Sequence, residues 1–169
     1  MVLQEWALPT LPDSFDDLMD AAEGADLLVS HLLTFATPLV AELRGIPWVS
    51  TALQPSAILS AYDPPLFPQT ALFAKIPFLG PWFWKLYRRL LIRITRPWFA
   101  PLYALRGQLG MPPVRTVPLL NGHSPWSVLA LFSSLLAQPQ PDWPQRTVVT
   151  GFPFLITSGE GALPPELES

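Results

Sequence analysis

The chain has no cysteine among its 169 residues. Disulfides and thiolate metal sites are therefore excluded, which is compatible with a reducing compartment. Charge is also scarce: 14 % of residues are Asp, Glu, Lys or Arg, and the formal net charge is −3. That balance does not favour nucleic acid as a partner. Histidine occurs only as His31 and His123, far apart, and no carboxylate-histidine cluster has ligand spacing, so no metal is expected. The first ten residues have no basic segment and no adequate apolar core before Pro9 and Pro12, so no signal peptide is read. Long apolar runs are missing too. The best, Val128 to Ala137, is about half the length a spanning helix needs and reads as buried core. No P-loop, nucleophile elbow or paired-carboxylate motif occurs, and no Gly-rich strand-to-helix turn opens the chain.

What is present is apolar surface and proline. Half of the residues are hydrophobic and the mean hydropathy is +0.31. The length suits one domain with a sizeable core. Its apolar excess predicts that part of the surface meets another domain, a lipid or a greasy ligand. The 22 prolines are spread without a repeat and read as loop punctuation.

The stretch from Ala25 to Pro68 organises the rest. Asp26 to Ser30 is a short apolar run that fits a strand buried on both faces. Thr34 can cap a helix whose residues Phe35, Ala36, Leu39, Val40 and Leu43 recur at helical spacing, with Pro38 in its first turn. Gly45 and Pro47 stop it. Trp48 to Leu53 is a second strand, and the intervening helix has the length a parallel crossover needs. This is a βαβ unit of an α/β domain. Ligands in open α/β sheets sit beyond the carboxyl ends of strands, which points to Ser30-His31 and Gln54-Pro55-Ser56.

The remaining elements follow in order. Asp13 or Ser14 can cap a helix reaching about Glu23, stopped by Gly24. Gln54 to Pro81 is a long loop rich in proline and aromatic residues, leaving a strand's carboxyl end, and is a candidate for function. Trp82 to Arg96 is the most periodic element. Trp82, Leu86, Leu90 and Ile94 lie four apart, beside Phe83, Tyr87 and Leu91. Lys85, Arg88, Arg89, Arg93 and Arg96 are assigned to the opposite side. Two readings stay open: a surface helix covering the sheet with its cations solvated, or an interfacial helix on an anionic membrane. Pro97 interrupts it, and a helix resumes from Trp98 to Leu109 before Gly110. Val114 to Trp126 reads as loop, Val128 to Phe132 and Thr147 to Gly151 as strands, and the tail from Ile156 as linker.

The polar groups of Ser30, His31 and Thr34 would face the crevice. A histidine there could serve as a base, but no nearby carboxylate is spaced to orient it, and a structural role fits better. No residue is therefore assigned a catalytic role. Asp63 and Asp142 read as turn residues.

Five stretches carry a resemblance: GADLLVSH, AELRGIPWVSTALQPSAILSAYDPP, LRGQLGMPP, SPWSVLALFSSLLAQPQPDWP and VVTGFPF. In this order they resemble the nucleotide-sugar-dependent glycosyltransferases that include sterol, macrolide and rhamnolipid glycosyltransferases. They cover most of Gly24 to Phe154, and ALQPS and PDWP…TGFPF are the most specific. The resemblance implies a GT-B fold of two facing Rossmann-like halves, an α/β architecture of parallel sheets with flanking helices. The N-terminal half takes the acceptor and the C-terminal half a UDP- or dTDP-sugar, and no metal is needed as a rule. It implies an inverting transfer in which a histidine of the first loop deprotonates the acceptor hydroxyl. The strands and loop carrying that histidine would precede Met1, and His31 does not match it. The donor-binding half would follow the linker near Gly159 to Pro165. Residues 1–154 are thus expected to be a truncated acceptor-binding domain, with 155–169 a linker remnant, inactive alone. The acceptor-site candidates are Ser30, His31, Thr34, Gln54, Pro55, Ser56, Phe67, Phe78 and Trp82, and the membrane-facing candidates Lys85, Arg88, Arg89, Arg93 and Arg96. The expected partners are an apolar or lipid acceptor, a donor-binding half and a peripheral membrane contact, with a cytoplasmic location at the inner face. A non-enzymatic lipid-binding module is the rival expectation.

Overall fold

The computed structural model describes residue 5, residues 7–64 and residues 80–154. Most of the proline- and aromatic-rich loop, including Phe67 and Phe78, and the linker from residue 155 lie outside the described residues.

Helix α1 spans Leu11–Ala21 and buries Leu11 and Phe15. It starts earlier than the sequence predicts, with Thr10 at the N-cap position and no side-chain cap. Neither Asp13 nor Ser14 caps it. Pro12 falls in the first turn, where a missing N–H costs nothing, so the helix extends back through it. Strand β1 (Leu28–His31), helix α2 (Thr37–Arg44) and strand β2 (Trp48–Ala52) then form the expected βαβ unit. Thr34 does not cap α2. It sits in a turn, its N–H bonded to the His31 carbonyl at 3.0 Å, and Ala36 takes the N-cap position. Gly45 ends α2 as expected, left-handed at φ 67°, and the next N–H closes back onto Ala41.

Helix α3 covers Pro81–Thr95. Pro97 cannot donate a backbone hydrogen bond, and the chain passes through a 3₁₀ turn, Arg96–Phe99, into α4, Ala100–Gln108. The segment expected to be loop contains one short helix, α5 (Pro118–Asn121), whose Asn121 side chain accepts the Val117 N–H at 2.7 Å. Strands β3 (Ser127–Ala130) and β4 (Thr147–Val149) complete the sheet, each shorter than the apolar run that announced it.

The four strands lie in the order β1-β2-β3-β4 and every pair is parallel. The molecule is α/β, a parallel sheet flanked by helices, and Rossmann-like. Its two sheet faces differ. By register, Leu28, Trp48, Ser50, Ala52, Val128, Ala130 and Val149 share one face. Both hydrophobic cores draw on that face alone. One joins α1, α2, α4 and Phe99, with Phe35 edge-on to Phe99 at 5.6 Å; the other joins Ala52, Val128, Ala130, Ile58 and Phe132. The opposite face carries Val29, Val49, Thr51, Leu129 and Val148, none of them buried, with Val29 58 % and Val148 51 % exposed. A parallel sheet is normally covered on both sides. Among the described residues this one is covered on one.

Candidate functional site

The parallel sheet brings the carboxyl ends of all four strands to one edge. His31 pairs in register with Thr51, so the turn after β1 and the Gln54–Ser56 segment after β2 leave the sheet side by side. Ser30, His31, Pro55 and Ser56 are half-buried there, whereas Thr34 and Gln54 are exposed. The His31 ring nitrogen Nδ1 accepts the Leu33 N–H at 3.3 Å, which ties the imidazole to its own turn. The Ser30 hydroxyl is buried without a hydrogen-bond partner. Apolar side chains share this edge: Leu33 follows β1, Leu53 follows β2, Leu135 and Leu136 follow β3, and Phe152 and Phe154 follow β4. All six are exposed, Leu135 by 94 % and Phe154 by 81 %. The edge is therefore an apolar rim with a few hydroxyl, amide and imidazole groups between. It can hold a greasy molecule and orient a hydroxyl, but among the described residues it contains no carboxylate-backed base.

Trp82 does not belong to the strand-end turns. It opens α3, 64 % exposed, with its ring edge-on to Phe83 at 6.1 Å.

The segment after β2 is held from behind by Asp142. One carboxylate oxygen accepts the Ser60 hydroxyl at 2.6 Å; the other accepts the Ala61 N–H at 2.9 Å and the Arg88 guanidinium at 3.1 Å. Arg88 also donates to the Leu59 carbonyl at 3.1 Å. Asp142 thus joins the β3–β4 connection, the post-β2 segment and α3, far more than the turn role its flanking prolines suggested. The five cations assigned to one face of α3 are accordingly split. Arg88 turns inward to Asp142, and Lys85 reaches the Tyr62 hydroxyl at 3.1 Å. Arg96 bonds the Val114 carbonyl at 3.0 Å and lies over the Tyr103 ring. Arg89 and Arg93 are exposed.

Sequence reasoning gave His123 no role. Its Nε2 lies 3.0 Å from the Ala57 carbonyl, which can only accept, so Nε2 carries the proton. Nδ1 then accepts from the Ser50 hydroxyl at 3.4 Å, and Ser50 in turn accepts the Ser124 N–H at 3.2 Å. Burial pushes His123 below the ordinary histidine range, with the Ala57 bond opposing. A serine beside a neutral histidine has the makings of a nucleophile and base, but Ser50 is completely buried and no substrate can reach it. The pair is a structural lock between β2 and the loop leading into β3.

A cavity of about 420 Å³ lies at the opposite, amino end of the strands. Phe35, Trp48, Leu102, Trp126 and His123 line it, and Arg106 and Glu42 stand in its wall. Arg106 is only 5 % exposed; one of its nitrogens meets both Glu42 oxygens at 2.6 and 2.7 Å. Nothing in the order of residues signalled this cavity, because it closes only when the loop between α4 and β3 folds against α2 and the start of β2. Among the described residues no group of acidic and histidine side chains could hold a metal ion, and no helix is long and apolar enough to cross a membrane.

Searches with the sequence give no match to a protein-family model and none to a curated protein.

Proposed function

We propose that this chain forms the acceptor side of an inverting, nucleotide-sugar-dependent glycosyltransferase acting on a hydroxyl of a lipid, sterol or other apolar compound. The observation that carries the reading is the apolar rim at the carboxyl ends of all four strands, where exposed Leu33, Leu53 and Phe152 share the edge with His31, Gln54 and Ser56. Open parallel sheets take their ligands beyond the carboxyl ends of the strands. The uncovered second sheet face supports the same reading, since a sheet of this kind is at home inside a larger α/β assembly. The hexosyl donor, a UDP- or dTDP-sugar, would be held by a facing donor-binding half. His31 orients the acceptor and is not the base, because no carboxylate backs it among the described residues and its Nδ1 is engaged by Leu33.

A second reading, a non-enzymatic lipid-binding module, is favoured by the apolar cavity at the amino ends. One titration separates the two. The chain is titrated with a dispersed steroid alcohol and, in parallel, with UDP-glucose. The glycosyltransferase reading expects saturable binding of the alcohol, no binding of the nucleotide sugar, and at least a tenfold loss of alcohol affinity in Leu53→Glu. Binding that survives Leu53→Glu and is lost in Trp126→Glu favours the module. Binding of UDP-glucose without the alcohol overturns the acceptor assignment.

A further inference from the structure

The chain is electrically divided. Residues 1–64 contain nine carboxylates and one arginine, whereas residues 80–154 contain eight cations and one carboxylate, Asp142. That carboxylate is already spent on Arg88, and Arg106 is neutralised by Glu42. Among the described residues the other cations of this half make no ion pair, and three of them, Arg89, Arg93 and Arg115, are exposed on the α3 side of the molecule.

The exposed face of α3 is also apolar. Trp82, Leu86, Leu90 and Ile94 each leave more than half of their surface in water. At about 100° per residue, a four-residue spacing drifts by about 40° per step, so this stripe winds around the helix. Arg89 and Arg93 project beside Trp82 and Leu86, not opposite them. The buried side is instead set by Trp84 with half-buried Leu91 and Arg88. Beside the stripe is a groove of about 880 Å³ lined by Leu86, Leu90 and Tyr103 together with Arg89, Arg93, Arg96 and Arg115. Four guanidinium-bearing side chains around an apolar floor suit a phosphate on one side and an acyl chain on the other.

We infer that α3 lies in the plane of an anionic phospholipid surface, with Trp82, Leu86 and Leu90 entering the interface and the Arg89–Arg93–Arg96–Arg115 groove taking a phosphodiester headgroup. Interfacial helices combine these features: an apolar flank, aromatic residues and cations at the headgroup level. Each such cation contributes about fivefold in affinity near an anionic surface. A helix of 15 residues is about 22 Å long, enough to lie on a bilayer and too short to cross it. The inference does not depend on glycosyl transfer, because the strand-end rim and the α3 groove are separate surfaces with separate variants.

The test is co-sedimentation of the full chain with phosphatidylcholine vesicles, with and without phosphatidylglycerol. Binding is expected only with phosphatidylglycerol, weakened at least tenfold by R89E/R93E and by L86S/L90S, with far-ultraviolet circular dichroism unchanged. R146E, an exposed arginine at the start of β4, should bind as the parent does. Three results overturn the inference: equal binding to both vesicle types, binding indifferent to R89E/R93E, or a duplex oligonucleotide that binds the groove while vesicles do not. Self-association abolished by L86S/L90S, without vesicle binding, would assign the stripe to a second copy instead.

Discussion

His123 shows how one side chain can set the pH response of the whole chain. Folding removes it from water, and this burial disfavours its protonated form against the opposing pull of the Nε2–Ala57 hydrogen bond. The unfolded chain, titrating near 6.5, takes up the proton first as pH falls. The stability this residue contributes is complete above about pH 6.5 and is lost as pH drops below that value. Urea midpoints measured from about pH 7.5 down to about pH 5 should fall, and His123→Gln should flatten the slope. An unchanged slope in that variant would show that His123 is not buried in solution. Little of this was legible beforehand. A histidine flanked by Gly122 and Ser124 looks like any loop residue until the loop is folded against Ser50, 73 positions away.

Elements were legible where their signals are local. The βαβ unit could be read because a short apolar run, a helical period ended by Gly45 and Pro47, and a second run each specify their own backbone. Helix starts were less legible, since Thr34, Asp13 and Ser14 are all plausible caps and tertiary packing decides which residue takes the position. The face of α3 was misjudged for a geometric reason: an i, i+4 stripe was treated as straight. Its true inward side follows Trp84 and Arg88, and Arg88 is drawn in by Asp142. That carboxylate, 11 % exposed, accepts from three groups on two other segments. Asp142→Asn should cost about 2 kcal/mol, because its amide leaves one of these donors unsatisfied and the Arg88 charge unpaired. The loss should appear first as faster amide hydrogen exchange at Ala61 and Tyr62. Unaltered exchange there would mean that Asp142 does not hold the post-β2 segment.

At the scale of the molecule, the sheet explains the composition. A parallel sheet with helices on one described face leaves Val29, Val49, Leu129 and Val148 open, and four strand-end turns add exposed leucine and phenylalanine. The apolar excess in the sequence forecast such surface but could not say where it would lie. The candidate site was legible in part. The turns at Ser30-His31 and Gln54-Ser56 leave the sheet at one edge, as the βαβ reading placed them, whereas the order of the four strands had no signal in the sequence. The amino-end cavity and the contribution of Leu135 depend on the connections before and after β3, which have no pattern of their own. The central claim is that an apolar hydroxyl compound binds at the carboxyl-end rim. The most direct measurement is a nitrogen-15 heteronuclear NMR titration of the chain with a dispersed steroid alcohol. The account predicts shifts concentrated at Leu33, Thr34, Leu53, Gln54 and Ser56, with the Trp48 and Trp126 signals unmoved. Shifts confined to Trp48, Trp126 and His123 would place the ligand at the amino ends and contradict the account.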